Sequence, residues 1–173
     1  MFGFECESSR VKKKFVKFWN NGQLFDVIDP HDESLRPNQL FAIALPYRIF
    51  SKAKEIKILE YISEDLLTPY GLRTLSRRDS RYKGRFSGDE SYHNGCVWPW
   101  LIGFCVTAHM RLYNDADYCK IMIQSLLEHV RDAGLGSISE IFDGDKPYKP
   151  NGCVSQAWSV AEVLRCVHED LSL

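Results

Sequence analysis

Residues 97–113 read VWPWLIGFCVTAHMRLY, a run so apolar on every side that, as a helix, it belongs inside a protein. Its one helix breaker, Pro99, is tolerable only in the first turn, where the missing amide has no partner. A buried helix needs neighbours with apolar faces, and the flanking sequence supplies them. Downstream, Asp115 can start ADYCKIMIQSLLEHVRDAG (116–134), in which Ile121, Ser125, Leu126 and Val130 share a face and Gly134 makes the stop. Upstream, Ser51 can cap KAKEIKILEYISEDLL (52–67), where Ile56, Leu59 and Ile62 repeat at helical spacing. NQLFAIALP (38–46) reads as a short buried helix stopped near Pro46. At the outside lie VKKKFVKFW (11–19), with Val11, Phe15, Phe18 and Trp19 opposite Lys12, Lys13, Lys14 and Lys17, and QAWSVAEVLRCVHEDL (156–171), capped by Ser155. The pattern predicts an all-α chain of about six helices and no strand, read as one domain over residues 1–173.

Two long segments, 68–95 and 136–154, interrupt the rhythm. Loops of that length in a compact domain are functional or disordered. The tyrosines, phenylalanine and glycines of the first favour an ordered, ligand-facing loop, since disordered segments are poor in aromatics. Helical hairpins whose connections alternate between short and long gather the long ones at one end, where ligands can bind.

With 22 Lys plus Arg against 23 Asp plus Glu and a net charge of -1, the chain carries no electrostatic footprint for nucleic acid or an anionic membrane. The lysine run reads as a solvated helix face. Six scattered cysteines without a CxxC pair read as reduced, buried thiols of a cytoplasmic protein, with a disulfide framework as the alternative. No segment approaches 18 uninterrupted apolar residues, and MFGFECESSR is acidic where a signal peptide would be basic. Neither a phosphate-binding glycine loop, a nucleophile elbow, HExxH nor paired cysteines of zinc spacing occurs, so no cofactor or metal is expected. His109, on the apolar helix, reads as a satisfied core histidine.

The aromatic content of 13% fits either a large core or a surface on which ligands stack. Sugar sites combine carboxylates, amides and guanidinium groups with aromatic faces, and the two loops hold that mixture. SISEIFDGD (137–145) carries Glu140 and Asp143 among apolar neighbours, where a carboxylate must be used or paired. Arg73, Asp79, Arg85 and Asp89 lie in the other loop, while Tyr92, Trp98, Trp100 and Trp158 begin or enter the helices beside them. Two carboxylates on separate loops could hydrolyse a glycosidic bond. A carbohydrate-binding module and a helical interaction domain remain equally compatible with the composition.

RPNQLFAIALP (36–46), YGLRTLSRRDSRYKGRFSGDESYHNGCVWPWLIG (70–103) and SISEIFDGDKPYKPNGCVSQAWSVAEVLR (137–165) together resemble the C-terminal part of the amylo-α-1,6-glucosidase region of glycogen debranching enzymes. The resemblance implies half of an (α/α)6 toroid, about six helices in hairpins, and inverting hydrolysis of α-1,6-linked glucose at the branch points of a glycogen-like α-glucan. Residue by residue, it makes Glu140 the counterpart of the general base. It makes Tyr92, His93, Asn94, Trp98 and Gln156 substrate-binding candidates, with Trp100 as core and Trp158 as packing; Arg85 and Asp89 join the candidates from the residue mixture of the first loop. The family's general acid is an Asp of the earlier toroid half, which has no counterpart here. The resemblance therefore implies a companion chain supplying that half, or a homodimer, with little activity in the chain alone. The competing expectation is a catalytically incomplete binding or interaction module that keeps the fold.

Overall fold

The computed structural model describes residues 2–172. Among them are seven α-helices: α1 (Phe2–Phe15), α2 (Phe41–Ala44), α3 (Lys52–Asp65), α4 (Asp89–His93), α5 (Leu101–Tyr113), α6 (Ala116–His129) and α7 (Ala157–Arg165). Short 3-10 turns precede α2 and follow α1, and a π turn, Cys166–Asp170, extends α7. The apolar run becomes α5, and its burial on nearly every side follows from its position: α2, α3, α6 and α7 all pack on it. Leu101, Ile102, Cys105, Val106 and Leu112 are buried. Gly103 admits the side chain of Glu162 from α7, where a Cβ would collide with it. The polar positions of α5 clamp its neighbours. Thr107 donates to Asp170 (2.7 Å) and accepts from Arg165 (3.0 Å), while Arg111 donates to the Ile43 carbonyl (2.8 Å). His109 lies in the core with its Nε2 3.3 Å from Ser63 Oγ.

Several expectations are corrected. α5 begins at Leu101, four residues later than the apolar run, because Val97 and Trp98 pair as a strand before the chain turns at Pro99. In α6 the buried side chains are Cys119, Met122, Ile123, Leu126 and His129, and Ile121 is 71% exposed. Cysteine and histidine hold inward positions there, so a stripe drawn through the aliphatic residues is rotated away from the core. Asp115 caps α6 as expected, accepting from the Tyr118 amide at 3.0 Å. Ser51 stands at the start of α3 without a side-chain cap, and its carbonyl accepts from Lys54 and Glu55 instead. Gln156, rather than Ser155, precedes α7, while Ser155 pairs with Ser137 at 2.7 Å. Val11 is exposed, so only Phe15, Phe18 and Trp19 of the first amphipathic face reach the core. Among the described cysteines, Cys96, Cys105, Cys119 and Cys166 are buried and free, but Cys153 is exposed.

The expectation of no strand is also overturned, although the fold is mostly helical. Among the described residues, nine strands of two or three residues form three antiparallel sheets. β1 (Trp19–Asn20) pairs with β2 (Gln23–Leu24), and β3 (Val27–Ile28) with β4 (His31–Asp32). The third sheet runs in order through β5 (Leu67–Thr68), β6 (Gly71–Arg73), β7 (Val97–Trp98), β8 (Ile141–Phe142) and β9 (Pro150–Asn151). This ladder joins the two long loops: Leu72 faces Trp98, Val97 faces Phe142, and Phe142 faces Pro150. Buried Arg73 bolts the same layer together through the Gly144 carbonyl (2.9 Å) and the Asp65 carbonyl (3.0 Å). No described helix is long and apolar enough to cross a membrane.

Gly71 makes the tight turn between β5 and β6 at φ 135°, and a Cβ there would run into the Trp98 carbonyl and Pro99 Cα. Gly71→Ala is therefore expected to lower stability by about 2 kcal/mol or more, combining backbone strain with the clash. A fall in the urea midpoint at unchanged slope checks this.

Candidate active site

Glu140 sits at the edge of β8, where the two loops meet. Its amide donates to the Cys153 carbonyl (2.9 Å), and the Cys153 amide returns a bond to Oε2 (2.8 Å). From the other loop, the Tyr92 hydroxyl at the end of α4 donates to Oε1 at 2.5 Å. The Tyr92 hydrogen bond, then the Cys153 amide, hold the Glu140 carboxyl below its ordinary pKa, and a side-chain bond from Gln156 adds to this against partial burial. Burial first, then the bond to Glu140, pushes the Tyr92 phenol up, so it stays protonated and donating. Gly152, at φ 69°, is required beside Glu140, since a Cβ there would strike the carboxylate.

Tyr92 is held in turn by aromatic contacts and one backbone bond. Trp98 meets it edge-on (centroids 4.6 Å apart, 74°) and donates from Nε1 to its carbonyl at 3.1 Å. Trp98, Trp100, Trp158, Phe41, His93 and Asn38 line a cavity of about 240 Å³ beside it. Trp100 and Trp158 stack at 4.0 Å, and the buried Trp100 Nε1 has no hydrogen-bond partner among the described residues. Trp158 is 52% exposed, so it offers a free aromatic face as well as packing. A larger cavity, about 400 Å³, lies behind Phe15, Phe18, Phe25 and Phe41, and none of the residues around Glu140 lines it.

The structure brings Glu140 and Tyr92 into direct contact, sets Gln156 on the backbone beside Glu140 through its amide bond to the Ile138 carbonyl, and places Trp98 and His93 around the cavity next to Tyr92. Asn94 is already engaged, accepting from Arg36 (2.9 Å) and donating to the Glu90 carbonyl (2.9 Å). Among the described residues, Asp89, with a side chain 97% exposed, reaches only His93 at 3.9 Å. Arg85 lies 3.9 Å from buried Asp143, whose Oδ1 also accepts from the Phe86 amide (2.8 Å) and Asn151 (2.9 Å). Asp143 Oδ1 thus ties the two loops to each other. Arg73 has the buried role described above, and Asp79 pairs with Arg81, which holds its carboxyl down at about 2. Among the described residues no group of His, Cys, Asp and Glu could hold a metal ion.

A protein-family model described as amylo-alpha-1,6-glucosidase matches residues 2–165. The chain belongs to that family. A relative of the chain is a glycogen debranching enzyme of Saccharomyces cerevisiae (strain ATCC 204508 / S288c), 31% identical over 88 residues. The match covers 44% of this chain and only 6% of that enzyme.

Two contributors to the site escape a reading of residue types. Gly152 was signalled by the Asn-Gly pair, which marks a tight turn. His129, which braces the backbone at Ser139 beneath Glu140, leaves no such signal, since a histidine on a helix that packs into the core reads as core.

Tyr92→Phe removes the first donor to Glu140. A hydrogen bond to a charged group is worth about 2 kcal/mol, and that loss of stability is expected at neutral pH. Because the folded pKa of Glu140 lies below its unfolded value, the bond's contribution is present above the unfolded carboxylate range and lost as pH falls through the folded pKa. Urea titrations of wild type and variant are expected to differ at pH 7 and to converge on acidification.

Proposed function

We propose that the chain forms the base-bearing half of a glycogen-debranching α-1,6-glucosidase, with Glu140 as the general base of an inverting reaction on glucose at α-glucan branch points. The observation that supports it most is the setting of Glu140: a carboxylate held by one donor from each long loop, one of them Tyr92, which packs on Trp98 of the aromatic cavity. A carboxylate has about four lone-pair sites, so the Tyr92 and Cys153 donors leave room for a water. Glu140 takes a proton from that water as its oxygen bonds to the anomeric carbon. The bond to the leaving oxygen breaks on the opposite face, where an acid about 6.5 to 9.5 Å away delivers a proton. Tyr92, His93, Trp98 and Gln156 bind the glucosyl unit, with Asn94 fixing the loop, and Arg85 and Asp89 reach outer sugars. The acid belongs to helices beyond these residues, in the same polypeptide or a companion chain, which would complete an (α/α)6 toroid. A second copy covering the open side is the alternative arrangement.

Glu140→Gln keeps the shape of the side chain and cannot accept the water's proton. In the enzyme completed by its acid-bearing helices, release of β-glucose from an α-1,6-branched oligosaccharide is expected to fall by about 10² to 10⁴-fold or more, with binding of the oligosaccharide nearly unchanged. The chain alone is expected to hydrolyse it negligibly. Release of α-glucose, or full activity of Glu140→Gln, would refute the assignment.

A further inference from the structure

The backbone that carries Glu140 is pinned at three consecutive residues by α7, its N-cap residue and the loop that leads into it. The Ile138 carbonyl accepts from the Gln156 amide (2.9 Å), the Ser139 carbonyl from Ser159 Oγ on α7 (3.2 Å), and the Glu140 amide donates to Cys153 (2.9 Å). From the last turn of α6, His129 closes the set. Its Nε2 lies 3.0 Å from Ser139 Oγ and 3.4 Å from the Ser139 amide nitrogen. Both residues are buried, His129 at 2% and Ser139 at 1% exposure. Phe142 covers the ring edge-on at 4.8 Å and Tyr70, from the turn between β5 and β6, approaches at 6.2 Å. The ring's other nitrogen, Nδ1, faces Asp132 Oδ2 at 3.8 Å.

A serine, a histidine and an aspartate in a row suggest nucleophilic catalysis, and the geometry argues against it. Ser139 Oγ is closed off from any substrate, and 3.8 Å is too long for an orienting hydrogen bond. The Ser139 amide decides the arrangement instead. A backbone N–H can only donate, so it requires an unprotonated Nε2 opposite it, and the ring's proton must then reside on Nδ1, toward Asp132.

We infer that His129 is a positioning residue for Glu140: as the neutral Nδ1–H tautomer it accepts from Ser139 and fixes the backbone from which the Glu140 carboxylate projects toward Tyr92. Protonation places an N–H against the Ser139 N–H, so the support is lost when the ring becomes charged. Burial, the largest influence, already lowers the His129 pKa against the opposing pull of Asp132, and the neutral ring is the form that persists at neutral pH. The functional meaning of this support rests on the reading of Glu140 as the base, whereas the support itself does not.

The test uses the full chain with 15N-labelled histidine and 13C-labelled glutamate. At neutral pH the His129 ring is expected to show an unprotonated Nε2 and a protonated Nδ1. On acidification its protonation should shift the Ser139 amide and the Glu140 carboxyl carbon in one joint step while the chain stays folded. Gln at 129 can place an acceptor where Nε2 sits and does not titrate. His129→Gln should therefore keep the Glu140 signals and lose the joint step, whereas His129→Leu should move the Glu140 titration up toward that of free glutamate. In the enzyme completed by its acid-bearing helices, His129→Leu should lower kcat about 10²-fold with little change in KM, and Gln should restore it. A protonated Nε2 at neutral pH, absence of the joint step, or His129→Leu leaving Glu140 unmoved would each overturn the inference. If the leucine variant does not fold, the tautomer and the glutamine variant decide. Should the spectra hold and the completed enzyme release no glucose, the glucosidase reading fails and the positioning role stands.

Discussion

A carboxylate drawn partly out of water between two loops is stable only if donors replace the water it gives up. Glu140 meets that condition with one donor from each side, Tyr92 from α4 and the Cys153 amide from the far side of its own loop. Everything around it serves to bring those donors together. The five-stranded ladder aligns the loops, Asp143 ties Phe86 to Asn151, and Arg73 locks the layer from beneath. Underneath, α5 holds α2, α3, α6 and α7 in the places from which these contacts start.

The arrangement separates roles among residues of the same type. Asp143 is buried, and its Oδ1 accepts from Phe86 in one loop and Asn151 in the other, so it holds the loops together. Glu140, half-buried, accepts from Tyr92 and Cys153 and keeps part of its accepting capacity. Trp98 braces Tyr92, while the Trp100 and Trp158 pair presents an aromatic face to the cavity. Family membership in the amylo-alpha-1,6-glucosidases is in keeping with a carboxylate beside aromatic walls, the combination that sugar chemistry requires.

The helices were legible because burial of one face imposes a 3.6-residue period, which α3 and α6 declare, while α5 shows itself by being apolar all round. Where the inward positions are held by Cys119 and His129 instead of aliphatic residues, the face was misjudged by part of a turn. The ladder was illegible for a different reason. Strands of two residues show no alternation, and β6, β7 and β8 find partners far along the chain, so their stability is tertiary. Glu140 stood out as a carboxylate among apolar neighbours, and the resemblance of its surroundings proposed its role. Asp89 and Arg85 looked alike in sequence yet lie exposed away from it, because residue type does not say which way a loop turns.

The central claim is that Glu140 removes a proton from the attacking water and does nothing that another nucleophile would need. Azide attacks without losing a proton. The decisive measurement is therefore the rate and product of Glu140→Ala, in the enzyme completed by its acid-bearing helices, with azide added to an α-1,6-linked glucoside. The account predicts that cleavage returns and that the product is β-glucosyl azide, formed with inversion. No recovery, or an azide product of retained α configuration, would contradict it.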